Sequence, residues 1–158
     1  MAKVFHTLEP VFDENSKVLI LGSFPSPKSR ETGFYYGHPQ NRFWRVLAAV
    51  FDEAVPTTNE EKKAFVLRHR IALWDVCASC EIEGAADSSI QNVTPNDFSV
   101  IRSVANVRAV FTTGKTANAL YERFTGEKAL LLPSPSPANC AVPFSTLVAR
   151  YAVVKTFL

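Results

Sequence analysis

The densest set of side chains that could do chemistry lies between residues 22 and 44. Gly22 ends an apolar run, and the Ser-Phe-Pro-Ser stretch after it offers a flat ring, a stiff turn and backbone amides. With the tyrosine and histidine that follow, this segment supplies stacking surfaces and neutral hydrogen-bonding groups, with no carboxylate pair and no metal cluster. Such a set suits a flat heterocycle such as a nucleobase. The candidate pocket residues are Gly22, Ser23, Phe24, Pro25, Ser26, Tyr36 and His38.

Several of these residues also have an ordinary structural explanation. Phe24 could be plain core, and His38, which precedes a proline, could be a turn residue. Asn41 stands at the predicted start of a helix facing this first loop, and N-capping alone explains an asparagine there. We expect Arg42 to lie on a solvated helix face and Trp44 to pack in the core.

A second informative segment is the proline-rich stretch from Leu132 to Asn139. Three prolines in five positions predict a rigid extended loop whose serines and asparagine project small hydrogen-bonding groups. A stiff, uncharged loop can enter a minor groove or press on a phosphodiester backbone without a large ordering cost. The alternative is a proline-rich surface connector. The candidate DNA contacts in this loop are Ser134, Ser136, Pro137, Ala138 and Asn139.

The stretch Thr113-Gly-Lys-Thr116 has part of the pattern of a phosphate-binding loop. Ala109 stands where the complete pattern requires a glycine, so nucleotide hydrolysis is not expected. Lys115 at a helix start could still contact a DNA phosphate, or the stretch could be a structural helix start only. Cys77 and Cys80 have zinc or redox spacing but lack further ligands nearby, and buried, unreactive thiols are predicted.

The elements that must position these groups alternate between short apolar runs and helical patterns. Apolar runs predict four strands, and helical spacing or capping signals predict helices between and after them. This order predicts one domain over residues 1–158, a three-layer α/β/α sandwich with a four-stranded, mostly parallel central sheet. Ligands of such sheets bind beyond the carboxyl ends of the strands. The predicted strands are 17–22, 71–74, 107–111 and 129–132, and the predicted helices lie near 43–50, 58–70, 94–101, 117–124 and 147–154.

The composition is that of an ordinary globular protein. The chain has 158 residues, of which 47% are hydrophobic and 20% charged, which excludes disordered and coiled-coil classes. No apolar run approaches the roughly 20 residues that a membrane span needs. The net charge of +2 permits a nucleic-acid partner without requiring one.

Three motifs together carry a resemblance to a known family. Gly-Ser-Phe-Pro-Ser at 22–26, His-Pro-Gln-Asn-Arg-Phe-Trp at 38–44 and Ser-Pro-Ser-Pro-Ala-Asn at 134–139 resemble the uracil-DNA glycosylase superfamily. The likeness is closest to its sixth family, the hypoxanthine-DNA glycosylases, and covers essentially the whole chain. Other branches carry an asparagine, aspartate or glutamate in the first motif, where this chain has Ser23 and Phe24. The resemblance therefore implies that the catalytic amide is Asn41.

The resemblance also implies a reaction and a substrate. The expected reaction is hydrolysis of the N-glycosidic bond of a deaminated base, most of all hypoxanthine, flipped out of double-stranded DNA, with no metal and no cofactor. The Ser-Pro-Ser-Pro-Ala-Asn motif at 134–139 lacks the histidine of uracil-specific relatives, so robust uracil excision is not expected. We expect a monomer without membrane attachment, cytoplasmic and associated with the nucleoid when acting on DNA. The alternatives are a uracil or mismatch glycosylase, a non-catalytic nucleic-acid-binding module of the same fold, and an unrelated small-molecule enzyme.

Overall fold

The computed structural model describes residues 2–158 and contains the parallel sheet that the sequence predicts. Its strands run in the order β3-β2-β6-β7, and each neighbouring pair is parallel. All five residues of the central strand β2 are buried, as its unbroken apolar run requires of a strand covered on both faces. The α/β fold with a four-stranded parallel sheet is therefore confirmed. The strands are Val18–Gly22 (β2), Ile71–Asp75 (β3), Ala109–Thr113 (β6) and Leu130–Leu132 (β7).

Capping chemistry explains the start of helix Asn59–Arg68 (α3) and the end of helix Lys115–Thr125 (α5). Thr58 accepts a hydrogen bond from the Glu61 amide at 3.0 Å and caps α3, as predicted. Gly126 closes α5 with a left-handed φ of 72°, which favours glycine. The last predicted helix ends earlier than expected and continues as a 3₁₀ helix, Ala152–Phe157. The helices are Pro27–Thr32 (α1), Phe43–Phe51 (α2), Asn59–Arg68 (α3), Ser99–Arg102 (α4), Lys115–Thr125 (α5) and Phe144–Tyr151 (α6).

A second, antiparallel sheet was not predicted. Lys3–Phe5 (β1), Cys77–Glu83 (β4) and Ala86–Pro95 (β5) pair in the order β1-β4-β5. The sequence predicted no strand between 75 and 106, and the helix predicted near 94–101 begins later, at Ser99, because Thr94 and Pro95 belong to β5. Strand β5 is mostly exposed and polar, and its pairing with β4 is interrupted by register shifts, so neither strand shows a clean alternating pattern.

The start of α2 is fixed firmly in the core. Phe43 and Trp44 are buried, as predicted, and the Trp44 indole donates a hydrogen bond to the Tyr35 carbonyl at 3.0 Å. This anchoring holds residues 36–42, which precede the helix, in one place relative to the sheet. No helix within residues 2–158 is both long and apolar enough to span a membrane.

Candidate active site

A cavity of about 880 Å³ lies at the carboxyl ends of the parallel strands. The last residue of each strand, Gly22, Asp75, Thr113 and Leu132, lines it. This is the edge of an open parallel sheet where ligands bind, and the volume is typical of a small-molecule or nucleobase site.

Every residue that the sequence singled out for the site lines this cavity. The three motif segments and the start of α5 converge there, although they lie far apart along the chain. What each residue does toward a ligand stays a prediction. The residues are Gly22, Ser23, Phe24, Pro25, Ser26, Tyr36, His38, Asn41, Lys115, Ser134, Ser136, Pro137, Ala138 and Asn139.

Polar atoms crowd around Gly22 at the floor of the cavity. A Cβ placed on Gly22 would lie 2.6 Å from Asp75 Oδ1, so only glycine leaves room for this carboxylate. The Tyr36 hydroxyl lies 3.1 Å from Thr113 Oγ1. The Tyr36 ring stacks on Phe43 at 3.8 Å, so one of its faces is already covered. Burial, reinforced by the charge of Asp75, raises the pKa of Tyr36, and the phenol stays protonated.

Asp75 is held by a histidine that no sequence motif pointed to. Its carboxylate is buried, and His6 Nε2 donates a hydrogen bond to Asp75 Oδ2 at 2.8 Å. His6 follows strand β1, whose pairing with β4 carries it across to the end of β3. The two residues are 69 positions apart, so no local pattern links them. Because this hydrogen bond uses Oδ2, the other carboxylate oxygen of Asp75, Oδ1, can still accept a hydrogen bond from a group in the cavity.

A second carboxylate enters the cavity from the β4–β5 hairpin. Ser23 Oγ donates a hydrogen bond to Asp87 Oδ1 at 2.9 Å. Asp87 as a residue is exposed, but it lines the cavity. Desolvation there raises the pKa of its carboxyl group, and the nearby charge of Asp75 raises it further. The hydrogen bond from Ser23 lowers this pKa and so opposes both effects. The segment from 22 to 44 supplies no carboxylate pair, and the two carboxylates that line the cavity, Asp75 and Asp87, come instead from the end of β3 and from the unpredicted hairpin.

Phe24 is both a core residue and a cavity-lining residue, the two positions that the sequence left open for it. It is buried in a small apolar cluster with Cys77 and Cys80, and it also lines the cavity. The Arg30 guanidinium lies over the Phe24 ring at 5.6 Å, and the His6 ring meets it edge to face. Both thiols are buried, as predicted, and burial raises their pKa values, which favours the protonated form. Within residues 2–158 no three histidine, cysteine or acidic side chains are grouped so that they could hold a metal ion.

The oxygen of the Asn41 side-chain amide makes a hydrogen bond within the protein, whereas its nitrogen does not within the described residues. Its Oδ1 accepts a hydrogen bond from the Phe43 amide at 2.9 Å, so the capping explanation is correct for the oxygen. The amide nitrogen makes no hydrogen bond within the part of the chain that the structure describes. His38 Nδ1 accepts from the Gln40 amide at 3.0 Å, which in the neutral ring leaves Nε2 as a donor.

The proline-rich loop is tied to the start of α2 by Arg42. The Arg42 guanidinium donates to the carbonyls of Val142 at 2.6 Å and Asn139 at 3.0 Å, and its amide donates to the Pro135 carbonyl. The prediction that Arg42 lies on a solvated helix face is therefore wrong. An arginine can serve two carbonyls at once because its guanidinium presents several donors in a fixed plane.

The small polar groups of this loop mainly shape the loop itself. Ser134 Oγ accepts from the Ser136 amide, and Ser136 Oγ accepts from the Ala138 amide, both at 3.2 Å. The side-chain nitrogen of Asn139, Nδ2, donates a hydrogen bond to the backbone carbonyl of Ser134 at 2.9 Å. All three side chains therefore make hydrogen bonds within the loop, and all three also line the cavity.

Two cationic side chains stand at the edge of the cavity. Lys115 is the first residue of α5, as predicted, and Arg150 comes from α6 and was not predicted to lie here. The helical spacing in the sequence can predict that Arg150 lies on a helix, but it cannot predict that this helix lies beside the cavity. Positive side chains at the mouth of a base-sized cavity suit contacts to phosphates.

The comparisons with known proteins agree with this geometry. Two curated relatives, both named hypoxanthine DNA glycosylase, come from Methanosarcina barkeri and Methanosarcina acetivorans. They are 38% and 41% identical, and each alignment covers 82% of this chain and 85% and 84% of the relative. The solution NMR structure of a proposed uracil DNA glycosylase from Methanosarcina acetivorans superposes with a TM-score of 0.78 at 32% identity, over 95% of this chain and 98% of that one.

The family model described as "Uracil DNA glycosylase superfamily" matches residues 9–151. That match contains all three motif segments, the β4–β5 hairpin and the two cations, Lys115 and Arg150, that line the cavity. Because it covers most of the chain and agrees with the superposed fold, the chain belongs to the uracil DNA glycosylase superfamily.

Proposed function

We propose that this protein is a DNA glycosylase that hydrolyses the N-glycosidic bond of hypoxanthine in double-stranded DNA. The flipped nucleotide would enter the cavity base first, at a cost that is least for a mispaired base. The relatives named hypoxanthine DNA glycosylase support this substrate. The observation that carries the proposal is the buried Asp75 carboxylate at the floor of a base-sized cavity.

The floor of the cavity suits the edge of hypoxanthine better than that of adenine. Hypoxanthine presents an N1–H donor, whereas N1 of adenine is an acceptor. Asp75 Oδ1, which His6 does not use, would accept the N1–H bond and repel the lone pair of adenine N1. The protonated Tyr36 hydroxyl is a donor close to the same point of the floor. A base with an unmatched polar edge is strongly rejected, because binding it would leave buried polar groups without hydrogen-bond partners.

Asn41 would act at the glycosidic bond. Its amide nitrogen is free to position the attacking water or to stabilise charge that develops in the transition state. A well-placed neutral donor contributes about 2–4 kcal/mol to lowering such a barrier. Phe24 would stack on the flipped base, and the backbone amides from Ser23 to Ser26 would contact its edge.

The remaining cavity residues would hold the DNA. Lys115 would contact a phosphate, and the rigid loop from Ser134 to Asn139 would press on the distorted strand. We also propose that the protein acts as a monomer and works in the cytoplasm on nucleoid DNA.

A panel of lesion-bearing duplexes tests the proposed function. Duplexes with a single deoxyinosine, deoxyuridine, deoxyxanthosine or ethenodeoxycytidine are incubated with excess protein, and abasic sites are revealed by alkali. We expect the fastest release from deoxyinosine and slow release from deoxyuridine. Uracil released faster than hypoxanthine would support a uracil or mismatch enzyme instead. Binding without strand breaks would support a non-catalytic module, and lack of DNA affinity at low salt would support a small-molecule enzyme.

A further inference from the structure

Hydrolysis of a glycosidic bond in this cavity, the reaction of the proposed function, requires a group that can take a proton. The oxygen of water attacks C1′, the bond between C1′ and N9 breaks, and its electron pair leaves with the base. One proton of the attacking water must then be removed. The Asn41 amide can orient water but is not a base at neutral pH. The need for a separate base therefore rests on the proposed function.

Two carboxylates within residues 2–158 line the cavity, and they occupy different depths. Asp75 is buried at the floor beside Gly22 and is bound by His6, where it meets the far edge of an inserted base. Asp87 belongs to an exposed hairpin and lines the wall. The sugar of a flipped nucleotide stays nearer to solvent than its base does, so we expect C1′ to lie closer to the exposed Asp87 than to the buried Asp75.

We propose that Asp87 is the catalytic general base, accepting the proton of the water that attacks C1′. Ser23 binds Oδ1 and fixes the carboxylate, while Oδ2 has no hydrogen bond within the described residues and is free to meet the water. Ser23 stands in the first motif, so the hairpin delivers to that motif a carboxylate that the motif itself lacks. After the step Asp87 is neutral, the sugar carries the new hydroxyl at C1′, and the departing base anion takes a proton from solvent.

The surroundings of Asp87 favour this role. Desolvation raises its pKa, and a carboxylate with a raised pKa is a stronger base. The hydrogen bond from Ser23 stabilises the ionised carboxylate and opposes this rise in pKa. The other titratable or charged groups around this wall are His6, Arg30, Tyr36, Asp75, Cys77 and Cys80.

Asp87→Asn tests the proposal, since the amide keeps the shape and can still accept from Ser23. The single-turnover release of hypoxanthine should fall at least about 100-fold. Affinity for a duplex carrying a tetrahydrofuran abasic analogue should stay unchanged, because that ligand needs no water activation. Asp97→Asn is the matched control: Asp97 is exposed, lies outside the cavity and should leave the release rate as it is.

Two further measurements separate a base from a structural residue. Added formate should restore part of the activity of Asp87→Ala, since the small anion fits the vacated space. The wild-type rate should fall as the pH drops through the pKa of Asp87, and this acidic limb should be lost in Asp87→Asn. Release by Asp87→Asn within about threefold of wild type, or equal losses of release and abasic-duplex affinity, would overturn the proposal. A wild type that releases no hypoxanthine would instead overturn the proposed function, and this inference with it.

Discussion

The oxygen and the nitrogen of the Asn41 side-chain amide are placed differently, so substitutions can separate their contributions. Its oxygen accepts the Phe43 amide at the start of α2, whereas its nitrogen is free in the cavity lining. Removal of the side chain therefore mixes a stability effect with a chemical one. A serine at this position keeps an acceptor for the helix start but has no amide nitrogen.

Asn41→Ala and Asn41→Ser should both abolish most hypoxanthine release. We expect losses of roughly 100- to 1,000-fold in the single-turnover rate, comparable to loss of one transition-state donor. Only the alanine variant should also lower the free energy of unfolding, by about 1 kcal/mol, because it loses the cap. Release by Asn41→Ser at the wild-type rate would remove the amide from the chemistry.

Asp75→Asn should weaken discrimination between hypoxanthine and adenine. The substituted amide can offer either a donor or an acceptor to N1, whereas the carboxylate only accepts. The measurement is the affinity ratio for two non-cleavable duplexes, with 2′-fluoroarabino-inosine or 2′-fluoroarabino-adenosine. We expect the wild-type preference for inosine to fall by about tenfold, which corresponds to the loss of one polar match of about 1.4 kcal/mol. An unchanged ratio would argue against contact between Asp75 and the base.

At the scale of elements, the parallel sheet could be predicted and the antiparallel one could not. Buried parallel strands such as Val18–Gly22 are continuous apolar runs, which the sequence displays directly. Strand Ala86–Pro95 is polar and mostly exposed, and its partner pairs with it through register shifts. What determines these strands is their pairing, a non-local property. The same hairpin brings Asp87 to Ser23, which is why the second carboxylate escaped prediction.

The predicted site segments meet at one cavity for a related reason. The residues of each motif are contiguous, so local chemistry identifies them, and the carboxyl ends of the strands place them at one edge. The His6–Asp75 and Arg42–Val142 contacts join distant parts of the chain and need the tertiary fold. The sequence therefore predicted which loops form the cavity but not which side chains hold those loops.

Arg42→Ala should loosen the proline-rich loop without unfolding the domain. It removes donors from the carbonyls of Asn139 and Val142, and such charge-assisted bonds contribute about 1.5–3 kcal/mol each. We expect faster amide hydrogen exchange in residues 134–142 and weaker binding to duplex DNA. Arg45→Ala is the matched control, because Arg45 is an exposed arginine on α2, the helix that begins directly after Arg42. Equal effects from both variants would show that the charge of the helix, not the tie to the loop, matters.

At the scale of the whole molecule, the protein carries little net charge. A surplus of two positive charges cannot by itself concentrate DNA, so the location of the cations matters more than their number. Lys115 and Arg150 lie on different helices at the edge of one cavity. Phosphate contacts release counterions, so the number of contacts determines how steeply affinity falls with salt.

Lys115→Ala and Arg150→Ala should each reduce the salt dependence of DNA binding. The slope of log K against log salt should become shallower by about one for each phosphate that is no longer neutralised. Neither variant should change the preference for inosine over adenine, because binding to phosphates carries no base information. Lys63→Ala serves as the control, since Lys63 is exposed on α3 and outside the cavity lining. If the Lys63 variant changed the slope as much as the other two, the mouth of the cavity would not be the DNA-binding face, and the cations around it would act only through total charge.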